Sequence, residues 1–95
     1  MALFTIVLDY RGGTYVHQIR ATSPLAAVCK WARGLTESCI YKLGRTGKAD
    51  LMLQLEYQKA TPLEELENAW CFCPVARGKL ALINVIKTDQ AAEME

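Results

Sequence analysis

Hydrophobic positions near the C-terminal end of the chain lack the alternation that marks a half-exposed strand. Between Lys79 and Lys87 the only polar residue is Asn84. Both faces of such a strand are apolar, because successive side chains point to opposite faces. Strands that are buried on both sides have this pattern. We therefore expect this strand inside a sheet, with its two faces covered by helices or by another subunit.

Residues 3–10 and 14–21 alternate with a period of two and predict a β-hairpin. Both runs are rich in β-branched and aromatic residues, and Arg11-Gly12-Gly13 supplies glycines for a tight reversal. One face is predicted to serve the core and carries Phe4, Ile6, Leu8, Tyr10, Tyr15, His17, Ile19 and Ala21. The other face is only partly polar, because it combines Thr5, Asp9, Gln18 and Arg20 with Leu3, Val7 and Val16.

A helix is predicted directly after the hairpin. Ser23 is a good N-cap, and Pro24 suits the first helical position, where no amide donor is missed. Apolar residues follow at helical spacing, at Leu25, Val28, Ala32 and Leu35. Gly34 is placed to end the helix in a left-handed cap.

The middle of the chain has a weaker pattern. Residues 36–48 combine glycines with scattered basic residues, which predicts mainly loop with a helical turn around Cys39-Ile40. Residues 48–59 fit both a strand and a helix, but they include no β-branched residue, so we favour helix. Thr61-Pro62-Leu63-Glu64 has the spacing of a capping box and predicts a short helical turn over residues 62–66.

A second hairpin is predicted to follow, with a strand over residues 68–73, a reversal over 74–78 and the apolar strand over 79–88. Residues 89–95 are polar and acidic and are expected to form a disordered tail. The prediction is thus a single α+β domain spanning residues 1–95. Its four-stranded, mostly antiparallel sheet has the order ββ-α-(α)-ββ, with helices on one face.

The sheet face without helices is the first candidate site. We expect Leu80, Leu82 and Ile86 to pack beneath the helices, which leaves the alternate residues of the last strand on the opposite face. Few elements remain to cover that face, so it predicts contact with another protein, most simply a second copy of the chain as a homodimer. The residues expected at this interface are Leu3, Val7, Val16, Ala81, Ile83 and Val85.

Composition narrows the classes of partner. The chain is 52% hydrophobic and 22% charged, as in ordinary globular domains. Eleven basic and ten acidic residues give a net charge of +1, which does not favour nucleic-acid binding. The apolar N-terminal run lacks a basic region and no run is long enough to span a bilayer, so we expect no signal peptide and no membrane partner. The four cysteines are then expected to be reduced thiols of a cytoplasmic protein.

Candidate chemistry is limited to a few side chains. Cys71 and Cys73 project from the same strand face, and with His17, the single histidine, they are the candidate ligands for a soft metal. Their spacing is poor for zinc, and a disulfide between such close positions in one strand is strained. Buried thiols and a hydrogen-bonded histidine are the simpler interpretation. We therefore predict no catalytic residue, no metal and no cofactor, and a metal or redox protein is the less favoured alternative.

Four segments together resemble a family of small bacterial proteins. They are the Arg-Gly-Gly-Thr-Tyr hairpin at 11–15, the Ser-Pro helix start at 23–24, the Trp-Cys strand at 70–71 and the Gly-Lys-Leu-Ala-Leu-Ile-Asn strand at 78–84. The resemblance covers the two ends of the chain and implies no particular activity. The initial hairpin and helix also resemble HicB-type antitoxin domains in topology, without a counterpart of their DNA-binding segment. A small antitoxin- or immunity-like regulator is therefore the alternative to a self-associating interaction domain.

Overall fold

A computed structural model describes residues 1–36, 39–63 and 67–88 of the chain. The predicted α+β class is confirmed, and every strand pairing among the described residues is antiparallel. In chain order, the elements are β1 (Ala2–Tyr10), β2 (Gly13–Ala21), α1 (Pro24–Gly34), α2 (Gly44–Leu55), β3 (Thr61–Pro62), β4 (Ala69–Phe72), β5 (Val75–Ala76) and β6 (Lys79–Lys87).

Within the described residues the sheet has six strands, not the four that the sequence predicts. Their order is β2-β1-β6-β4-β3, and β5 pairs with β6. The two unpredicted strands, β3 and β5, have two residues each, which is too short to show a periodic pattern. The apolar strand β6 lies between β1 and β4, so its predicted position inside the sheet is confirmed.

Two tight turns, each formed by an Arg-Gly pair, connect the strands of two hairpins. Arg11 and Gly12 join β1 to β2 with φ values of 50° and 83°, and Arg77 and Gly78 join β5 to β6 with 52° and 77°. Positive φ at both central residues is the geometry of a type I′ turn, which matches the twist of the flanking strands. In the first hairpin, the predicted core face is confirmed, since the four even-numbered side chains of β1 from Phe4 to Tyr10 are buried.

Helix α1 begins as predicted but ends differently. The Ser23 hydroxyl accepts a hydrogen bond from the backbone N–H of Ala26, and Pro24 takes the first helical position. The prediction that Gly34 forms a left-handed cap is wrong, because the chain leaves the helix through Leu35 in an extended conformation. The Leu35 side chain is buried in the core, and its carbonyl oxygen accepts a hydrogen bond from Lys48 Nζ at 2.8 Å.

Helix α2 confirms the helical interpretation of residues 48–59 as far as Leu55, but it begins at Gly44, inside the predicted loop. Gly47 is buried against the side chain of Leu43, where an added Cβ would lie 2.7 Å from a methyl group. Gly47 therefore does not mark a loop. It lies inside α2, where packing against Leu43 requires a residue without a side chain. None of the helices in the described part of the chain is long and apolar enough to cross a membrane.

Two further predictions concern residues 62–66 and the C-terminal residues 89–95. The helical turn predicted over residues 62–66 is wrong at its start, because Thr61–Pro62 is a strand paired with Cys71 and Trp70 of β4. Residues 64–66 of that turn, and the tail predicted over 89–95, lie outside the described residues.

The predicted assignment of the two faces of β6 is wrong. Ala81, Ile83 and Val85 are fully buried beneath the helices, whereas Leu80 is 58% exposed on the opposite face. The reason is the antiparallel register, which places Ile83 and Val85 opposite core residues of β1. Directly paired residues share a face of the sheet. The composition of β6 did not reveal this because both of its faces are largely apolar.

Replacement of Ile83 by Ala is expected to lower the free energy of unfolding by about 2–5 kcal/mol, because it leaves a cavity in a closed core. Leu80→Ala removes a similar volume from an exposed position and should lower it by less than about 1 kcal/mol. Urea denaturation followed by circular dichroism measures both changes. Equal losses would contradict the assignment of the two faces.

Candidate functional site

The sheet face opposite the helices, which we call the open face, is formed by the three long strands. Both helices contribute to the core on the other face, together with the even-numbered residues of β1. Cross-strand register, together with alternation along β6 for Leu80, assigns twelve side chains to the open face, four from each long strand. They are Leu3, Thr5, Val7 and Asp9 of β1, Thr14, Val16, Gln18 and Arg20 of β2, and Leu80, Leu82, Asn84 and Ile86 of β6.

A row of directly paired residues crosses the middle of the open face. Val16 pairs with Val7, Val7 with Asn84 and Asn84 with Cys71 of β4. Val16 is 60% exposed, and the other three side chains of the row are half-buried. We call these four residues the central row.

Polar side chains beside the central row are paired with one another. Gln18 Nε2 donates to Thr5 Oγ1 at 3.0 Å, and the Thr14 hydroxyl donates to Asp9 Oδ1 at 2.7 Å. Each pair links β1 to β2, one on either side of Val7 and Val16. Because these groups already have hydrogen-bond partners, covering the face requires less uncompensated desolvation than covering unpaired polar groups.

The structure divides the predicted interface residues into two groups. Leu3, Val7 and Val16 lie on the open face as expected, and Val16 is the most exposed of them. The placement of Ala81, Ile83 and Val85 on this face is wrong, since these side chains have no exposed surface. The apolar residues of β6 that do lie on the open face are Leu80, Leu82 and Ile86. Asn84 was the signal that could have found them, because the single polar residue between the terminal lysines of β6 belongs on the wetter face.

Cys71 and Cys73 are brought into contact, with their Sγ atoms 3.6 Å apart. Cys71 belongs to β4, whereas Cys73 lies beyond the end of that strand, and its backbone N–H donates to Gln58 Oε1 at 3.2 Å. Burial, followed by the hydrogen bond with Cys73, raises the pKa of Cys71 to about 11. The pair borders an open cavity of about 420 Å³ that is lined by Gln58, Lys59, Thr61, Cys71, Phe72 and Cys73.

His17 is separated from these cysteines. It lies on β2, three strand intervals from β4, a distance of roughly 14 Å. Its Nδ1 accepts a hydrogen bond from Trp31 Nε1 at 3.1 Å, on the helix side of the sheet, whereas Cys71 lies on the open side. Within the described residues, no group of three or more His, Cys, Asp or Glu side chains is placed to hold a metal ion.

Comparison with known proteins adds no assignment: no protein family matches the chain, and neither a curated protein nor a solved structure matches it significantly.

The hydrogen bond between His17 and Trp31 predicts a stability difference between two variants. Trp31 is only 4% exposed, and in His17→Leu its indole N–H loses its acceptor. The free energy of unfolding should therefore fall by about 1–3 kcal/mol. His17→Gln keeps an acceptor oxygen and is the matched control. Urea denaturation followed by fluorescence, in a Trp70→Phe background that isolates Trp31, measures both. A leucine variant as stable as the glutamine variant would exclude a role for this hydrogen bond.

The environments of the thiols predict an order of reactivity. Burial raises the pKa of Cys29 as well as that of Cys71, so both remain largely protonated at neutral pH, and the thiolate is the reactive form. Exposed Cys39 should therefore be alkylated by iodoacetamide about tenfold faster than either of them. Peptide mass mapping of partially alkylated protein gives the rates. Similar rates for Cys39 and Cys71 would contradict the buried environment of Cys71.

Proposed function

We propose that the protein is a non-catalytic interaction domain that binds a second copy of itself through the open face. The observation that carries this proposal is the central row, in which Val16 and Val7 stand side by side on a face that neither helix covers. Leu82 and Ile86 flank Asn84 on the adjacent strand and extend this apolar surface. Exposed apolar surface of this kind is typical of protein interfaces.

The dimensions of the open face suit such an interface. The three long strands have nine residues each, and β4 extends the sheet by one strand. At standard strand geometry, the face is about 30 Å long and about 19 Å wide. Its projected area is on the order of 550 Å², and its accessible area is larger because side chains project from it. Stable interfaces bury about 800 Å² of accessible surface on each partner, so most of the open face would be needed.

The pattern of side chains on the open face is self-complementary. A twofold axis that lies along the central row, parallel to the sheet and perpendicular to the strands, places Val7 against Val7 and Val16 against Val16 of the second copy. The same axis exchanges residues on either side of Asn84, so Leu82 faces the second copy's Ile86. Apolar side chains thus meet apolar side chains, as an isologous contact requires.

The polar pairs follow the same symmetry. The axis places Asp9 and Thr14 of one copy over Thr5 and Gln18 of the other, because the two pairs flank the central row at equal distances. The Asp9 carboxylate then faces a hydroxyl and an amide, both of which are hydrogen-bond donors. A carboxylate facing its own symmetry mate would repel it, and this arrangement avoids that.

Light scattering over a concentration series tests the proposal, with dimer expected at micromolar concentration. Val16→Lys should raise the dissociation constant about a hundredfold, equivalent to ~2.8 kcal/mol, because the twofold contact includes the new charge twice. Leu53→Lys is the matched control. Leu53 is 61% exposed, almost the same as Val16, but it lies on α2. This variant should dimerise like the native protein.

Two results would contradict self-association. One is a native protein that stays monomeric at tens of micromolar; the other is a Val16→Lys variant that dimerises as well as Leu53→Lys. After a monomeric result, the interpretation to test would be a partner of different sequence on the same face, as in an antitoxin- or immunity-like regulator.

A further inference from the structure

The contact between Cys71 and Cys73 is not a requirement of strand geometry. Side chains two residues apart in a regular strand are separated by roughly 7 Å, yet these sulfur atoms are 3.6 Å apart. The difference arises because β4 ends at Phe72. Cys71 is held by its pairing with Asn84 and Thr61, whereas Cys73 lies past the last pair of the strand. One thiol is therefore positioned by strand pairing, and the other lies outside the hydrogen-bond ladder.

The surroundings of the pair provide both access and charge. Cys73 is exposed, and Cys71 is half-buried beside it. The cavity of about 420 Å³ that they border has the size of a small-molecule site. Lys59 lines the same cavity and supplies a positive charge, and Gln58 is fixed there by its bond to the backbone of Cys73. An anionic ligand with a sulfur atom to present to Cys73 fits these surroundings.

We propose that Cys71 and Cys73 form a thiol–disulfide exchange site for an anionic low-molecular-weight disulfide of the glutathione class. The Cys73 thiolate attacks one sulfur of the ligand, the ligand's S–S bond breaks, and the departing thiolate takes up the proton that Cys73 lost. Cys71 then attacks Cys73 Sγ, releases the second ligand thiolate and gives up its proton to it. Two protein thiols are oxidised to one disulfide, and the ligand disulfide is reduced to two thiols.

The resulting disulfide belongs to the labile class. The sulfur atoms must approach from 3.6 Å to about 2.05 Å, and a bridge between residues two apart closes a small ring. Strained and exposed disulfides are the easily reduced ones, so the exchange runs in both directions. The strain that argues against a structural disulfide at this position therefore favours a reversible one.

The exchange takes place within a single chain, but Cys71 belongs to the central row, so the proposed self-association would cover one of the two thiols. The exchange is measured by mass spectrometry of quenched samples, whereas self-association is measured by light scattering. Oxidation is therefore followed at a concentration at which light scattering shows monomer, so that failure of the exchange and failure of self-association are distinguished.

The test exposes reduced protein to glutathione disulfide, followed by acid quenching and peptide mass mapping. In the native protein, the expected product is a Cys71–Cys73 disulfide with no lasting adduct on Cys73. Cys71→Ser and Cys71→Ala should each trap a mixed disulfide on Cys73. Cys39 is the internal control, because it is exposed and should keep its adduct in every variant.

Lys59→Gln tests the ligand class. It should slow oxidation by glutathione disulfide about threefold to tenfold at low salt and leave oxidation by neutral hydroxyethyl disulfide unchanged. The proposal is overturned if native protein keeps a mixed disulfide on Cys73 as long as the Cys71 variants do. The anionic ligand class is overturned if Lys59→Gln slows both reagents equally or neither.

Discussion

The antiparallel pairing of β1 with β6 is the constraint on which the rest of the structure depends. It places Ile6 opposite Val85 and Leu8 opposite Ile83, so these pairs form the floor of the core beneath the helices. A shift by one residue would turn Asn84 into the core, where its amide would need partners. Hydrogen bonds at the end of the ladder support the register, since Thr88 donates its backbone N–H to the carbonyl of Leu3 at 2.8 Å.

Local signals predicted the parts of the fold that local interactions determine. The first hairpin and the start of α1 were predicted correctly because the turn glycine, the serine cap and the following proline act on their immediate neighbours. The face of β6 was missed because it depends on pairing with β1, at the other end of the described chain. Strands β3 and β5 were missed because two residues show no periodic pattern, and the start of α2 was missed because its glycines indicate a loop. Gly47 is one of these glycines, and inside the helix it is required because the side chain of Leu43, one helical turn away, packs against it.

The same distinction applies to the candidate sites. Alternation along β1 and β2 was sufficient to place Leu3, Val7 and Val16 on the open face. The contact between Cys71 and Cys73 was not predictable, because it depends on β4 ending between them. Cys71 also belongs to the central row, so the hydrogen-bond ladder that orders the open face also positions one thiol of the exchange pair.

The position of β6 also has a consequence for how the chain folds. The central strand pair joins segments from opposite ends of the described chain, as in the contact between Thr5 and Thr88, which are 83 residues apart. Contacts of such long separation form late and slowly, because a large loop must close before they add stability. During synthesis from the N-terminus, the first hairpin and both helices emerge before the strand that completes their core. Until β6 inserts, the edge of β1 remains available to other strands, which makes this interval the period of greatest exposure to misassociation.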